Sequence, residues 1–296
     1  VKEIAIVGVG VVGRAYARVF PPNVLQTHDL RDEQWTGNWC GGPEGNEKTH
    51  KQTQRARTDQ CRLAIVCVPT PPLEGGGCDI SAVEDVIAWL KTPLILIKSA
   101  VPPGTTDHLS HKYKKDIAVS PEYIGESKYH VPDEFLHPSD PRKHPFQIFG
   151  GEKHVTSQIV AIFEKYLGPT KKYIQTEAAT AELVKYMENC FFATKVTFCN
   201  EFANIARHMD VDYRELRELF VLDPRVGPMH TSVFEDNPGF AGKCFPKDLA
   251  AVIAAAEDAG YDPQFLRAVV SNNHKFGGEV VYPQPEAPES LTKAPD

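Results

Sequence analysis

The sequence predicts an α/β chain: a parallel-sheet domain over residues 1–170, then an all-helical domain over 171–275. Three observations predict it. Short apolar runs alternate with amphipathic segments through the first 170 residues, as strands joined by crossover helices would. A Gly-x-Gly-x-x-Gly run links the first apolar run to the first helical stretch. From Thr176 apolar residues recur at helical spacing as far as Met209, with no Gly or Pro to interrupt them.

Ile4–Val7 is a strand rich in β-branched residues, followed by a glycine turn and a helix around Arg14–Phe20. Val24–His28 reads as the second strand and ends at Asp29. Leu63–Val68 and Pro93–Lys98 are continuous apolar runs, as strands buried on both faces should be, with a helical segment at Ala82–Leu90 between them. Ile117–Val119 and Phe146–Phe149 are weaker strand candidates. Between Asp29 and Leu63 the chain is polar and Gly-rich, a loop with at most one helix. The long helix begins at Thr176, where Thr176 and Glu177 suit an N-terminal cap, and its apolar residues suggest burial on several faces. Shorter helices follow at Tyr213–Phe220, Pro246–Ala259 and Pro263–Asn273. The Pro/Glu/Ser-rich tail over 276–296 reads as disordered.

Composition narrows the function. With 42% apolar and 24% charged residues, the 296-residue chain has enough of each for a core and a soluble surface. A net charge of −7 gives no general electrostatic reason to bind nucleic acid, and no apolar stretch is long enough to span a membrane. Gly8 and Gly10 interrupt the N-terminal apolar run, which argues against a secretory signal. The seven cysteines are odd in number and irregularly spaced, without a CxxC pair, which argues against a disulfide framework or structural zinc and for a reduced, cytoplasmic protein.

Gly8-Val9-Gly10-Val11-Val12-Gly13 follows a strand and opens a helix, and Asp29 ends the next strand 21 residues after Gly8. This is the context of a Rossmann-type dinucleotide site. Gly8 permits the tight turn, Gly10 lets backbone approach a pyrophosphate, and Gly13 lets helix and strand pack closely. The helix N-terminus at Val11 and Val12 offers N–H groups to phosphates. Asp29 would accept from the ribose hydroxyls and favour NAD over NADP, although Arg31 lies nearby. Cys244 stands in Gly239-Phe-Ala-Gly-Lys-Cys-Phe-Pro-Lys-Asp248, where Lys243 and a helix opened by Pro246 would favour thiolate; a buried structural cysteine is the alternative. Asp248, in that helix's first turn, could hold a water or a neighbouring lysine, or be an ordinary first-turn carboxylate. Lys185 and Asn189, spaced i, i+4, share a helix face that borders either a site or, with Glu182 and Glu188, solvent. Glu122 and Glu126 in SPEYIGES are either ligand contacts or ordinary helix caps.

Taken together, IAIVGVGVVG (4–13), Asp29, VCVPTP (66–71), DISAVE (79–84), IKSAVPPGTT (97–106), SPEYIGES (120–127), TAELVKYMEN (180–189), FCNEFANIA (198–206), DPRVG (223–227) and GFAGKCFPKD (239–248) resemble, in order, the UDP-glucose/GDP-mannose dehydrogenase family. The resemblance implies NAD-dependent, four-electron oxidation of a nucleotide sugar, best UDP-glucose, to its uronic acid. It makes Cys244 the nucleophile that carries thiohemiacetal and thioester, with Lys185 and Asn189 at the oxyanion. Asp248 and Glu126 would serve water and proton transfer. Thr70, Glu126 and Lys247 fall on the cofactor side. Glu122 and Arg225 fall on the substrate side, Arg225 reaching a sugar held by the neighbouring subunit, which implies a homodimer through the long helix.

Three departures accompany the resemblance. Ala100 replaces a threonine that helps position water, Ala241 and Lys243 alter the run before the cysteine, and the family's third, nucleotide-gripping domain would begin where this chain ends. The expectation is therefore a short form of the family. Two alternatives stand beside it: a two-electron β-hydroxyacid dehydrogenase-like enzyme, and a catalytically degenerate NAD-binding protein or half of a split enzyme.

Overall fold

The computed structural model describes residues 2–29, 55, 57–74, 76–124 and 140–278. Among them, residues up to Pro71 together with Cys78–Met187 form one compact unit, while Pro72–Gly77 and the residues from Glu188 form a second.

The first unit is built on strands β1 (Ile4–Val7), β2 (Leu25–His28), β3 (Leu63–Val66), β4 (Leu94–Ile97), β5 (Asp116–Val119), β6 (Phe146–Gly150) and β7 (Lys172–Thr176), in the sheet order β2-β1-β3-β4-β5-β6-β7. β1 lies in parallel between β2 and β3, with Ile4 opposite both Leu25 and Leu63. The chain leaves β1 first to one side and then to the other, which opens a crevice at the carboxyl ends of β1 and β3.

Alternation explains why the central strands read as unbroken apolar runs. Ile4, Ile6, Leu63, Ile65, Leu94 and Leu96 pack on one face with α1 (Val11–Ala17) and α4 (Lys153–Leu167). Ala5, Val7, Ala64, Val66, Ile95 and Ile97 pack on the other with α2 (Ser81–Trp89) and α3 (Thr105–Tyr113). Each fully buried Val, Leu or Ile contributes about 1.5–3 kcal/mol relative to exposure.

The expected parallel sheet needs one correction. β5 and β6 pair antiparallel through Val119 and Gly150, and β7 follows β6 in parallel. An apolar run states which faces are covered and carries no sign of strand direction, so periodicity could not reveal the reversal. Three elements lie outside the sequence expectations. β7 is a largely exposed, polar edge strand, and α3 buries only Thr105, Thr106 and Leu109. α4 is longer and amphipathic, burying Val155, Thr156, Ile159, Ile162 and Phe163. The first helix begins three residues earlier than expected, at Val11. Thr176 ends β7 opposite Gly150 instead of capping the long helix.

That helix, α5, runs Ala178–His208, 31 residues. Its first turns belong to the sheet: Ala178 and Ala181 sit in the core beside β4 and β5. A Cβ on Gly150 would lie 2.5 Å from that of Ala181, so the helix comes down almost onto strand backbone. Where the apolar period changes near 170, packing does not; the compact unit continues to Met187.

The second unit gathers the remainder of α5 with α6 (Tyr213–Phe220), α7 (Phe245–Asp258) and α8 (Gln264–Lys275). Its core joins Cys190, Ala193, Phe240, Leu249, Ile253, Val269 and Val270. Along α5, Met187, Phe191, Phe198, Phe202 and Ile205 are each more than 40% exposed. No helix among the described residues is long and apolar enough to cross a membrane. Arg31, Cys40 and the expected tail from 279 lie outside the described residues.

Candidate active site

The glycine turn shows why each glycine is where it is. Gly8 has φ +90°, and a Cβ there would stand 2.5 Å from the Cys67 carbonyl oxygen. A Cβ on Gly13 would stand 2.0 Å from the Gly8 oxygen, so α1 can cross β1 only without a side chain. Gly10 is different: a Cβ would meet nothing within 4 Å. Its lack of a side chain answers no internal packing need and leaves the backbone open to an incoming group. Gly10 caps α1 without a side-chain bond, and no acidic residue occupies the first turn. The N–H groups at Val11 and Val12 therefore suit an anion. Asp29 is held against this turn, its Oδ2 accepting from the Val9 N–H at 2.5 Å, while the Gly8 N–H donates to the His28 carbonyl at 2.8 Å. The cradle fits a dinucleotide, with its acidic group where the second strand ends.

The loops after β3, β4 and β5 converge in the same unit. Thr70 is buried, and its hydroxyl donates to the Ala100 carbonyl at 2.9 Å, so towards a cofactor it can only accept. Glu122 accepts from the Ile124 N–H and lines a small cleft with Lys98, Ala100, Glu182 and Lys185. Lys185 lies 5.4 Å over the Tyr123 ring. Glu182 is not part of a solvated stripe. It is buried, accepting from the Gly104 and Thr106 N–H groups at 2.6 and 2.8 Å and from the Thr106 hydroxyl at 2.6 Å, so a carboxylate from α5 caps α3. Burial pushes its pKa up, and the threonine and backbone hydrogen bonds oppose that shift.

In the second unit Cys244 is the N-cap residue of α7, exposed, with Pro246 in the first turn. Asp248 follows within that turn and is 2% exposed. Its N–H donates to the Cys244 carbonyl at 2.9 Å. Its Oδ2 accepts from Asn189 Nδ2 at 2.5 Å, and its Oδ1 from Lys247 Nζ at 2.6 Å. The structure thus brings Asn189, Lys247 and Asp248 into one buried network beside the helix that begins at the thiol. Burial, assisted by Asp248, pushes the Cys190 thiol up to about 12, so the cysteine next to Asn189 is inert where Cys244 is accessible.

The loop before Cys244 is gripped at its far end. Asn273, wholly buried, accepts the Phe240 N–H at 2.6 Å and donates to its carbonyl at 2.9 Å, and Asn200 accepts from the Gly239 N–H at 3.1 Å. Arg225 is exposed and pairs with Asp223 at 2.5 Å. Glu126 lies outside the described residues. The sequence assigns no role to Lys98, Asn200 or Asn273, and for Glu182 it offers a solvated stripe instead of the cap on α3. A lysine closing an otherwise apolar strand is a usable signal for Lys98; the partners of the other three are 33 to 78 residues away and leave no local mark.

Comparison with known proteins agrees with this geometry. Residues 44–160 match the model for the UDP-glucose/GDP-mannose dehydrogenase family, NAD binding domain, and residues 179–275 match that family's central domain. The UDP-glucose 6-dehydrogenase of Rickettsia conorii is 32% identical over 229 residues, covering 73% of this chain and 50% of the relative. UDP-glucose 6-dehydrogenase AglM of Haloferax volcanii is 30% identical, covering 92% and 69%. A solved UDP-glucose dehydrogenase from Pyrobaculum islandicum shares the fold, with TM-score 0.71 at 24% identity over 93% of this chain and 68% of that one. The chain spans about half the length of most of the curated relatives it matches.

Proposed function

The chain belongs to the UDP-glucose/GDP-mannose dehydrogenase family, and from that premise we propose that it takes part in the NAD-dependent oxidation of a nucleotide sugar, best UDP-glucose, to the uronic acid. The observation that carries this reading is the exposed Cys244 thiol at the N-terminus of α7, with Asp248 one turn on and fixed by Asn189 and Lys247. A two-electron hydroxyacid oxidation has no use for such a nucleophile.

NAD, when bound, would supply the hydride acceptor for each of two two-electron oxidations. The backbone at Gly8, Gly10, Val11 and Val12 would hold its pyrophosphate, with Gly13 letting α1 approach closely, Asp29 would hold its ribose, and Thr70 would accept a hydrogen bond near its other end. The protein's own chemistry centres on sulfur. Cys244 Sγ forms a bond to the C6 aldehyde carbon, which prevents the aldehyde from escaping between oxidations. Lys185 and Asn189 donate to the oxygen that gains negative charge. After the second oxidation, water attacks the thioester carbon, the C–S bond breaks, and the thiolate leaves. Asp248, with Glu126, takes the proton of that water. Lys247 orients Asp248 and reaches the cofactor side. Glu122 and Arg225 contact the sugar.

Exposed apolar residues spaced along α5 support a homodimer through that helix, since a second copy would cover a stripe that water otherwise wets. Sedimentation at micromolar concentration is expected to give a dimer. For the reaction, NADH is followed with NAD and a panel of UDP- and GDP-sugars, and the product is weighed by mass spectrometry. Two NADH per uronic acid is the expected result. NAD binding with no turnover on any sugar would overturn the proposal in favour of a cofactor-binding role.

A further inference from the structure

Lys98 is the residue whose burial is hardest to explain by packing alone. It directly follows β4 and is 2% exposed, although a lysine head is costly to remove from water. Its ammonium is fully used: Nζ donates to Ser120 Oγ at 3.0 Å and to the Pro121 carbonyl at 2.9 Å, and stands 4.5 Å over the Tyr16 ring. Both acceptors belong to the two residues that immediately precede Glu122. Lys98, Ser120, Pro121, Glu122 and Lys185 all line the same cleft.

We infer that Lys98 is a positioning residue: by holding the Ser120 hydroxyl and the Pro121 carbonyl it fixes Glu122 on the cleft wall that Lys185 shares, and so sets the grip on the sugar. This rests on the nucleotide-sugar reading of the cleft. The local energetics agree. Burial pushes the Lys98 pKa down to about 8, the nearby Lys185 adds to the fall, and Glu122 and Cys67 oppose it. The ammonium is therefore kept at neutral pH mainly by the groups it organises. A methionine would fill the same space more cheaply, so the donors are what the position requires. Within the segment, the Ile124 N–H donates to Glu122 and turns the backbone just after it.

The test compares Lys98→Met, which keeps the packed stem, with Lys98→Arg, which keeps donors and charge. Glu122 is titrated by NMR of carboxyl-labelled glutamate, with its signal assigned by Glu122→Gln. The ionisable groups around it are Lys98 from β4, Lys185 from α5, Tyr16 from α1, Cys67 after β3 and neighbouring Tyr123. Lys98→Met is expected to move the Glu122 titration to higher pH, because a neighbouring cation is lost, and Lys98→Arg to leave it near the wild-type value. In turnover, Lys98→Met is expected to raise KM for the nucleotide sugar about tenfold with NAD affinity unchanged, and adding Glu122→Gln to cost less than about twofold more. Ser120→Ala, which removes one acceptor, should act in the same direction with smaller size.

A Glu122 titration that ignores Lys98→Met, or effects of Lys98→Met and Glu122→Gln that multiply, would overturn the inference. If the wild-type chain oxidises no nucleotide sugar, the functional reading fails, while the titration still decides the role of Lys98.

Discussion

The glycine turn and the cysteine helix solve opposite problems. At the turn, the geometry depends on side chains that are missing: at Gly8 and Gly13 backbone occupies the space a Cβ would need, while at Gly10 that space is open. At the thiol, it depends on side chains brought from elsewhere, with Asn189 and Lys247 holding Asp248, and Asn200 and Asn273 holding the approach to Cys244. The first device is local and tolerates no addition. The second is assembled from distant helices and tolerates no removal.

The largest expected effect tests the second device. Cys244→Ala should lower NADH formation by a factor on the order of a thousand or more while leaving NAD affinity unchanged, as steady-state rates and cofactor titration would show. Unchanged turnover would remove the covalent mechanism.

Next come the two glycines that look alike in sequence. Gly13→Ala places a methyl 2.0 Å from the Gly8 oxygen and should cost about 3 kcal/mol or more, seen as a lower denaturant midpoint or failure to fold. Gly10→Ala meets nothing and should change stability by less than about 1 kcal/mol, yet weaken NAD binding. Equal loss of stability in both would erase the distinction between packing and access.

Asp248→Ala leaves the buried Asn189 amide and the half-buried Lys247 ammonium without their acceptor and should cost about 3 kcal/mol, with Asp248→Asn costing less. Chemical denaturation of the two variants separates this structural share from any role in turnover.

The smallest effect concerns pH. Burial raises the thiols of Cys61 to about 11 and of Cys67 and Cys190 to about 12, from 9.0. Above pH 9 the unfolded chain has released these protons while the folded chain retains them, so stability falls as pH rises from about 9. Lys98, lowered to about 8, works in the opposite sense between about 8 and 10.5, because there the unfolded chain holds the extra proton. Three thiols outweigh one lysine. Stability should therefore decline above about pH 9 in urea titrations, and less steeply in Cys67→Ala.

The same contrast explains what was legible in the sequence. β1, β3, β4, the glycine turn, the long helix and α7 were readable because each writes its requirement into consecutive residues. The antiparallel β6 and the exposed β7 were not: direction leaves no mark in an apolar run, and KYIQT carries only the weak pattern of an edge strand. The position of Cys244 just ahead of a helix, and of Asp248 in its first turn, is legible from the glycines and Pro246. Lys98 has a local mark, a lysine ending an apolar run, but its partners do not, and the role of Glu182 is not legible because the helix it caps lies 76 residues earlier.

The capping of α3 by Glu182 bears on biosynthesis. The helix starts at Thr105, but the carboxylate that completes its first turn is made 76 residues after Thr106. Until that stretch of α5 has left the ribosome, the sheet unit lacks β7, the alanines that seal one face and the acceptor for three donors around Gly104 and Thr106. The sheet unit is thus finished only once this part of α5 has been made. Anyone dividing the gene to express it alone should cut within α5 after Met187, since a fragment ending at 170 would end before the residues that close it.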